Sequence, residues 1–201
     1  EIQNDSNMMF FFHFNNDSRF GENDTFAYDH SGRQHNATAV CGSGNCPKVV
    51  DGYFGKAFNF SWISGGSTNH HLTIPDSDEL SFGANATITA WIYYVYPGVE
   101  DHEILSHKGV SGRGYTFGVT DDFGNVNRLR FGYKDNLGGS YDHYSNNNIS
   151  TNNWHFVSLV REGNRIRFYI DGLFDADRLF NVETGESADS LIINPLSDMW
   201  I

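Results

Sequence analysis

The run Glu100-Asp101-His102-Glu103 is the densest group of side chains that could do acid–base chemistry. Glycoside hydrolysis needs two carboxyl groups held at a set distance across the scissile bond. This run follows Pro97-Gly98, and we expect it to be a solvated loop rather than such a pair. The sequence also has no Gly-x-Ser-x-Gly, no His-Glu-x-x-His and no phosphate-binding glycine loop. It therefore predicts a protein without enzymatic activity.

Aromatic side chains beside polar ones favour sugar binding, because a pyranose ring stacks on an aromatic face while polar groups bind its hydroxyls. One group of candidates lies in a Gly-rich segment that we expect to border a concave sheet, and one more lies near a polar run at 69–71. The candidates are Tyr133, Tyr141, His143, Tyr144 and Trp62. The alternative is that these rings pack into the edges of the fold.

Two segments carry arginines in strand-like alternation with apolar residues. Arg128 and Arg130 alternate with apolar side chains, and Arg165 and Arg167 do the same. If the two strands lie in one sheet, the four guanidinium groups gather on one face and could capture an acidic glycan. Our default interpretation is that each arginine pairs with a local carboxylate on a solvated face.

The two cysteines, Cys41 and Cys46, are separated by Gly-Ser-Gly-Asn. The glycines permit the tight reversal that a short disulfide loop requires. The rival interpretation is a metal site, since His30 and His35 lie just upstream, but the spacing matches no standard zinc pattern. We favour the disulfide, which requires an oxidising compartment.

The chain has 201 residues and a formal net charge of -12 at pH 7. Nucleic acids and anionic lipid surfaces bind positive patches, so this charge argues against both as partners. The longest apolar run, residues 8–12, is far below the roughly 20 residues that cross a bilayer, and we expect no direct membrane insertion. Because the sequence begins at Glu1 rather than Met, we expect that a leader or upstream region has been removed.

Asn-x-Ser/Thr sequons, the acceptors for N-glycosylation in secreted proteins, recur along the chain. They begin at Asn4, Asn16, Asn23, Asn36, Asn59, Asn85 and Asn148. Alternation of aromatic and polar residues places Asn59 on the outward face of a strand, and Asn85 and Asn148 are expected in turns. Together with the disulfide, the sequons predict an extracellular or cell-surface glycoprotein.

Short runs of alternating apolar and polar residues, separated by Gly, Asn, Asp or Pro, predict β-strands. They span residues 9–14, 57–62, 71–74, 87–94, 103–106, 115–119, 128–133, 154–161, 165–170 and, more briefly, 191–193. A helical turn is expected only at 76–80. The pattern predicts an all-β fold, an antiparallel two-sheet β-sandwich that forms a single domain over residues 1–201.

Several segments, taken in order, resemble one family of β-sandwich domains. Tyr28-Asp29-His30-Ser31-Gly32 is similar to the family's Asp-x-Ser-Gly turn, and Gly55-Lys56-Ala57-Phe58-Asn59-Phe60 to one of its strands. Ala86-Thr87-Ile88-Thr89-Ala90-Trp91-Ile92 resembles its most recognisable strand, and Asn153-Trp154-His155-Phe156-Val157 part of its closing hairpin. On these residues the chain resembles the laminin-G-like jelly roll of the concanavalin A-like lectin/glucanase superfamily.

The resemblance implies a concanavalin A-like jelly roll. Glycosidases of that superfamily carry a Glu-x-Asp-x-x-Glu strand, which this sequence lacks. The resemblance also implies a Ca²⁺ ion at an edge of the sandwich, because oxygen ligands suit this hard cation. The matching positions are Asn15, Asp29 and Asp198. Asp29 is alternatively the cap of an Asx-turn before Ser31-Gly32.

Domains of this family continue into a last long strand, whereas this sequence stops at Ile201. We expect either that the segment has been cut from a larger chain or that another subunit supplies the strand, since an open sheet edge recruits strands.

The sequence as a whole predicts a lectin-like, non-catalytic carbohydrate-binding or adhesion module of a secreted or cell-surface protein. Its expected partners are glycans or extracellular proteins, and calcium is the candidate cofactor. The alternative is a structural glycoprotein subunit of a surface filament or surface layer, in which the sandwich contacts copies of itself. Glycan binding distinguishes the first hypothesis and ordered polymers the second.

Overall fold

A computed structural model describes residues 6–41, 46–60, 70–95, 101–109, 112–121, 126–134, 138–180 and 197–201. The chain divides into two compact units, of which the first comprises Glu1–Leu80 with Asp198–Ile201 and the second Ser81–Ser197. The single-domain organisation over residues 1–201 stays a prediction. Among the described residues, no helix is long and apolar enough to cross a membrane.

The first unit contains short antiparallel strands. In sheet order these are β1 (Phe26–Ala27), β2 (Ala37–Val40), β5 (His71–Ile74) and β14 (Met199–Trp200), and a separate hairpin pairs β3 (Lys48–Asp51) with β4 (Lys56–Asn59). β5 has the predicted bounds, and its alternation buries Leu72 and Ile74 completely. A disulfide joins Cys41 to Cys46, as the sequence predicts.

Residues 9–14 form no strand, so this prediction is wrong. Phe14 has a φ of +56°, in the left-handed region that a strand does not use. The amide of Phe11 donates to the Asp29 side chain (2.8 Å), and its carbonyl accepts from the amide of His30 (2.8 Å). The ring of Phe14 packs edge-on against Phe58, with centroids 5.2 Å apart. The aromatic alternation therefore reflects packing of side chains and not a sheet ladder.

The second unit is a sandwich of two antiparallel sheets. In one, β7 (His102–Lys108), β8 (Gly114–Thr120), β9 (Arg128–Lys134) and β10 (Ser140–Asn148) are neighbours in that order; in the other the order is β13 (Leu173–Leu179), β12 (Arg165–Ile170), β11 (Trp154–Glu162) and β6 (Asn85–Tyr93). Both sheets bury apolar residues completely, for example Phe117, Phe131, Leu159 and Phe168. This architecture confirms the predicted all-β, two-sheet fold.

The sequence does not predict β1, β2, β3, β10, β13 or β14. Residues 140–144, expected to belong to a Gly-rich loop, lie in β10, where Tyr141 and His143 alternate with polar neighbours. β13 follows β12 through Asp171 and Gly172, whose φ values of 53° and 78° match the two-residue turn that closes a hairpin. A 3-10 turn at Asp78–Leu80 corresponds to the predicted helical turn. The short strand predicted at 191–193 lies outside the described residues.

Candidate functional site

The outward face of β8, β9 and β10 carries polar side chains. Thr116 of β8 pairs with Gly132 of β9, which in turn pairs with Asp142 of β10. Because side chains alternate along a strand, these residues face away from the buried Phe117 and Phe131. The other pairs on the same face are Gly114 with Lys134, Lys134 with Ser140, Gly118 with Arg130, and Arg130 with Tyr144.

Glycines at the centre of this face let neighbouring atoms approach the backbone closely. A Cβ atom at Gly132 would lie 2.7 Å from Oδ1 of Asp142 and 3.1 Å from Oγ1 of Thr116. A Cβ at Gly118 would collide with the carbonyl oxygen of His102. Glycine inside a strand often marks a place where a ligand or another backbone comes close. All residues of β8 are buried, as is Gly132 of β9, so the exposed polar groups of this face include those of Ser140 and Asp142.

A groove of about 230 Å³ is lined by Gly132 together with Gly112 and Gly114. We call it the polar groove, and its lining residues are Lys108, Gly112, Gly114, Thr116, Arg130, Gly132, Tyr133, Lys134, Ser140 and Asp142. Both hydrogen-bond donors and acceptors are therefore available within one concavity.

Arg130 lines the polar groove and binds two carboxylates. Its Nε donates to Oδ1 of Asp142 (2.8 Å) and its Nη1 to Oδ2 of Asp101. Burial opposes the charged form of Arg130, but the bond to Asp142 and the charges of both carboxylates outweigh burial and raise the pKa of the guanidinium. Nearby, Nζ of Lys108 donates to Oε1 of Glu103 (2.5 Å). The charged groups are held in pairs at the edges of the groove.

The acidic run at 100–103 is not the solvated loop that the sequence predicts. His102 and Glu103 begin β7, and Asp101 is bonded to Arg130. Glu100 lies outside the described residues. Sequence spacing could not indicate this pairing, because Asp101 and Arg130 are 29 positions apart.

The predicted sugar-binding aromatics occupy both sides of the sheet. Tyr133 and His143 are buried, 4% and 8% exposed, and the ring of Phe180 packs edge-on against both, at 5.6 and 5.4 Å between centroids. Tyr141 pairs with Tyr133, so it shares the inward face, while Tyr144 lies opposite Arg130 on the face of the polar groove. Trp62 lies outside the described residues. Gly132, which lies inside the predicted strand at 128–133, is the sequence signal that could have indicated the groove.

The four arginines do not gather, because β9 and β12 belong to different sheets. Arg165 is paired with Asp177, and Nη1 of Arg167 lies 2.8 Å from Oε2 of Glu162. The condition for an arginine cluster is therefore not met. The default interpretation, local pairing with carboxylates, describes Arg130, Arg165 and Arg167.

Asp29, one of the calcium candidates, is completely buried and acts as a cap. Its Oδ1 accepts from the amides of Phe11 (2.8 Å) and Ser31 (2.9 Å), and its Oδ2 accepts from the Ser31 hydroxyl (2.7 Å) and the amide of His35 (3.0 Å). These four bonds satisfy the carboxylate without a cation. The Asx-turn alternative therefore accounts for Asp29.

The other two calcium candidates are placed separately in the first unit. Oδ1 of Asp198 accepts from the amide of Asp76 (3.0 Å), and Asn15 is exposed. In the described part of the chain, no group of three or more His, Cys, Asp or Glu side chains is arranged to hold a metal ion. Calcium binding stays a prediction.

Most of the described sequon asparagines are accessible. Asn16, Asn23, Asn59, Asn85 and Asn148 are exposed. Asn59 lies in β4, as expected, whereas Asn85 and Asn148 lie at ends of β6 and β10 instead of in turns. Glycosylation stays a prediction.

Two sequons differ from these. Oδ1 of Asn36 accepts from the amide of Asp29 (2.9 Å), and its side chain is half-buried. Asn4 lies outside the described residues.

A comparison with protein-family models identifies the family of this chain. A family model described as the concanavalin A-like lectin/glucanases superfamily matches residues 65–193, more than half of the chain. No curated protein matches the sequence.

Solved structures with the same fold include two binding domains of toxins and one domain of an arabinanase. The binding domain of Paraclostridial Mosquitocidal Protein 1 has a TM-score of 0.62 at 15% identity, over 87% of this chain and 41% of that one. Domain 4 of AbnA, an extracellular arabinanase of Geobacillus stearothermophilus solved with arabinotriose, has a TM-score of 0.60 at 13% identity, over 86% and 76%. The receptor binding domain of botulinum neurotoxin D scores 0.57 at 15% identity, over 87% and 41%.

The chain therefore spans about two fifths of the mosquitocidal and neurotoxin domains that it resembles. At these sequence identities the likeness concerns the fold.

Proposed function

We propose that this chain, which belongs to the concanavalin A-like lectin/glucanases superfamily, is a non-catalytic extracellular module that binds carbohydrate in the polar groove. The observation that carries the proposal is the groove itself, about 230 Å³ in volume, with glycines at its centre and paired charges at its edges. The structural likeness to an arabinanase domain solved with arabinotriose supports a carbohydrate as the ligand class.

The lining residues suit the chemistry of a sugar. Carbohydrates present many hydroxyl groups, each of which donates and accepts hydrogen bonds, and the groove offers carboxylate, ammonium and hydroxyl partners in Asp142, Lys134 and Ser140. Charged partners make stronger hydrogen bonds than neutral ones. Tyr144, beside Arg130 on the same face, adds an aromatic ring against which a sugar can pack.

In this proposal the module binds its ligand and catalyses no reaction. Glycoside hydrolysis requires one carboxyl group as acid and another as base or nucleophile. Among the described residues that line the groove, Asp142 is the carboxylate, and its Oδ1 is bonded to Arg130. Asp101 is bonded to the same guanidinium, so both acids are engaged in a charge network rather than poised at a scissile bond.

The extracellular setting rests on two features of the first unit and its surface. The disulfide between Cys41 and Cys46 needs an oxidising compartment to persist. Exposed sequons such as Asn16 and Asn59 are accessible to glycosylation. Soluble or cell-attached glycans are the partners that fit this location.

Filling the groove tests the proposal. Gly132→Val places a branched side chain between Thr116 and Asp142, which must shift to admit it. We expect glycan affinity lowered at least about tenfold, in a variant whose folding is verified by circular dichroism. Glycan-array screening of the unaltered protein, with and without Ca²⁺, identifies the ligand, and titration calorimetry then measures the variant.

Gly83→Ala is the matched control, because nothing lies within 4 Å of a Cβ at Gly83, which is remote from the groove lining. It should bind like the unaltered protein. An array without any glycan signal, or full affinity in a folded Gly132→Val variant, contradicts binding in the groove. Ordered polymers in a protein that binds no glycan would instead favour the structural-subunit hypothesis.

A further inference from the structure

The second sheet of the same unit carries a different surface on its outward side. Tyr93 of β6 pairs with Trp154 of β11, Trp91 pairs with Phe156, and Tyr169 of β12 pairs with Phe174 of β13. Alternation places all of them opposite the buried residues of their strands, such as Leu159 and Phe168. We call this surface the aromatic face; its residues are Trp91, Tyr93, Trp154, Phe156, Tyr169 and Phe174.

The rings of the aromatic face are arranged in cross-strand pairs. The centroids of Trp91 and Phe156 are 5.4 Å apart, and those of Tyr93 and Trp154 are 5.5 Å apart. Along a strand, residues of one face repeat about every 7 Å. The two pairs therefore form a compact block of four rings, and Tyr169 and Phe174, 5.8 Å apart, extend it towards β13.

The block is accessible. Trp91 is 41% exposed, Tyr93 48% and Phe174 60%. Large aromatic side chains are among the most costly residues to leave in water. A contiguous exposed group of them more often marks an interaction surface than a surface without function. Cross-strand pairing stabilises the sheet, but it does not require the rings to remain exposed.

The rest of this outward face has no net charge in the described residues. Towards the far ends of the strands, Arg167 is paired with Glu162 at 2.8 Å and Arg165 with Asp177. Thr89, which is exposed, places a hydroxyl group next to the ring block, whereas its cross-strand partner Ser158 is buried. The surface is thus neutral, aromatic and bordered by the hydroxyl of Thr89.

We infer that the aromatic face binds a neutral, extended polysaccharide. In such a chain the ring hydrogens form apolar faces and the hydroxyls project from the edges, so the faces stack on aromatic rings while hydroxyls reach the exposed Thr89. The charge of the protein favours this occupant: at -12, a second copy or an anionic membrane is repelled, whereas a neutral polymer is not. The site lies on another sheet than the polar groove and is independent of it.

Pull-down with insoluble neutral polysaccharides, namely cellulose, chitin and β-1,3-glucan, tests the inference. We expect the protein to bind at least one of them, and the double variant Trp91→Thr/Tyr93→Thr to bind at least about tenfold more weakly, because aromatic anchors dominate such contacts. Threonine retains β-strand propensity, and thermal unfolding followed by circular dichroism verifies that the variant is folded.

Leu179→Thr provides the control, since Leu179 is 53% exposed on the same sheet but pairs with Arg165, away from the ring block. It should bind the polysaccharide normally, as should Gly132→Val, which separates this site from the polar groove. Failure to bind all three polymers overturns the inference. So does unchanged binding by a folded double variant, or a demonstration that the same two rings mediate dimerisation or vesicle binding instead.

Discussion

Arg161 shows how a charged side chain can serve the interior of a sandwich. It is only 2% exposed, and its Nη1 donates to the carbonyls of Phe82 (3.1 Å) and Gly83 (2.8 Å) while its Nε donates to that of Gly163 (3.1 Å). The guanidinium also lies over the ring of Phe180, 5.4 Å from its centroid. These contacts satisfy backbone acceptors that would otherwise be buried without a donor.

Replacement of this arginine should therefore be costly. We predict that Arg161→Leu lowers the free energy of unfolding by about 3 kcal/mol, because the buried carbonyl of Phe82 and the partly buried carbonyls of Gly83 and Gly163 lose a donor. Chemical denaturation measures the loss. Arg167→Leu removes an exposed pair with Glu162 and should change stability little. Equal stability of the two variants would contradict the structural role of Arg161.

His13 gives the first unit a pH dependence. Burial lowers the pKa of His13, and the neighbouring His30, whose ring centroid lies 4.5 Å away, lowers it further, against a smaller opposing effect of Glu22. The unfolded chain then binds a proton more readily than the folded one, so stability is lost as the pH falls below the ordinary value of about 6.5.

We predict that amide hydrogen exchange of the segment around His13 accelerates as the pH falls below about 6.5, after correction for intrinsic rates. His13→Gln should flatten this dependence. Glu79 and Asp51 have lowered pKa values, because of hydrogen bonds to Arg33 and Lys56 respectively, so neither group changes its charge in this pH range. An unchanged pH profile in His13→Gln would assign the dependence to other groups.

Among the elements, irregular positions in strands connect the two sheets of the second unit. β10 shifts register between Tyr144 and Asn148, and β12 and β13 shift between Phe168 and Tyr169. At these positions Asp175 accepts from the amides of Asn146 (2.6 Å) and Asn147 (3.1 Å). A bulge leaves backbone groups without ladder partners, and the carboxylate supplies them.

We predict that Asp175→Ala lowers the free energy of unfolding by about 3 kcal/mol, since two amides and the Nδ2 of Asn147 lose their acceptor. Asp175→Asn, which keeps one acceptor oxygen, should have a smaller effect. Asp51→Ala, at an exposed side chain, is the control for removal of a carboxylate and should be nearly neutral. The measurement is the denaturant midpoint at constant m-value.

At the scale of the whole molecule, the two proposed surfaces belong to the two sheets of one unit. The polar groove has glycines and paired charges, whereas the aromatic face has exposed rings. Because the sheets face outward in different directions, a polar and a stacking ligand need not compete. The variants Gly132→Val and Trp91→Thr/Tyr93→Thr address the surfaces one at a time.

Several parts of the fold follow from local pattern alone. β5 and β12 have their predicted bounds because alternating apolar residues are flanked by turn residues. The hairpin of β11 and β12 follows from Gly163 and Asn164, and the disulfide from two nearby cysteines with glycines between them. β10 was missed because polar residues dominate it, and residues 9–14 were misassigned because aromatic packing resembles a strand pattern.

The fold class, the disulfide and the acidity of the protein can be inferred from the amino-acid sequence, since these depend on side-chain periodicity, short spacings and composition. Which strands are neighbours is visible only after folding. Pairing of β8, β9 and β10 placed Gly132 between Thr116 and Asp142, turned Tyr133 and His143 inward, and kept Arg130 apart from Arg167. Such neighbours are distant along the chain, and no local pattern encodes which of the possible strand registers buries the most apolar surface.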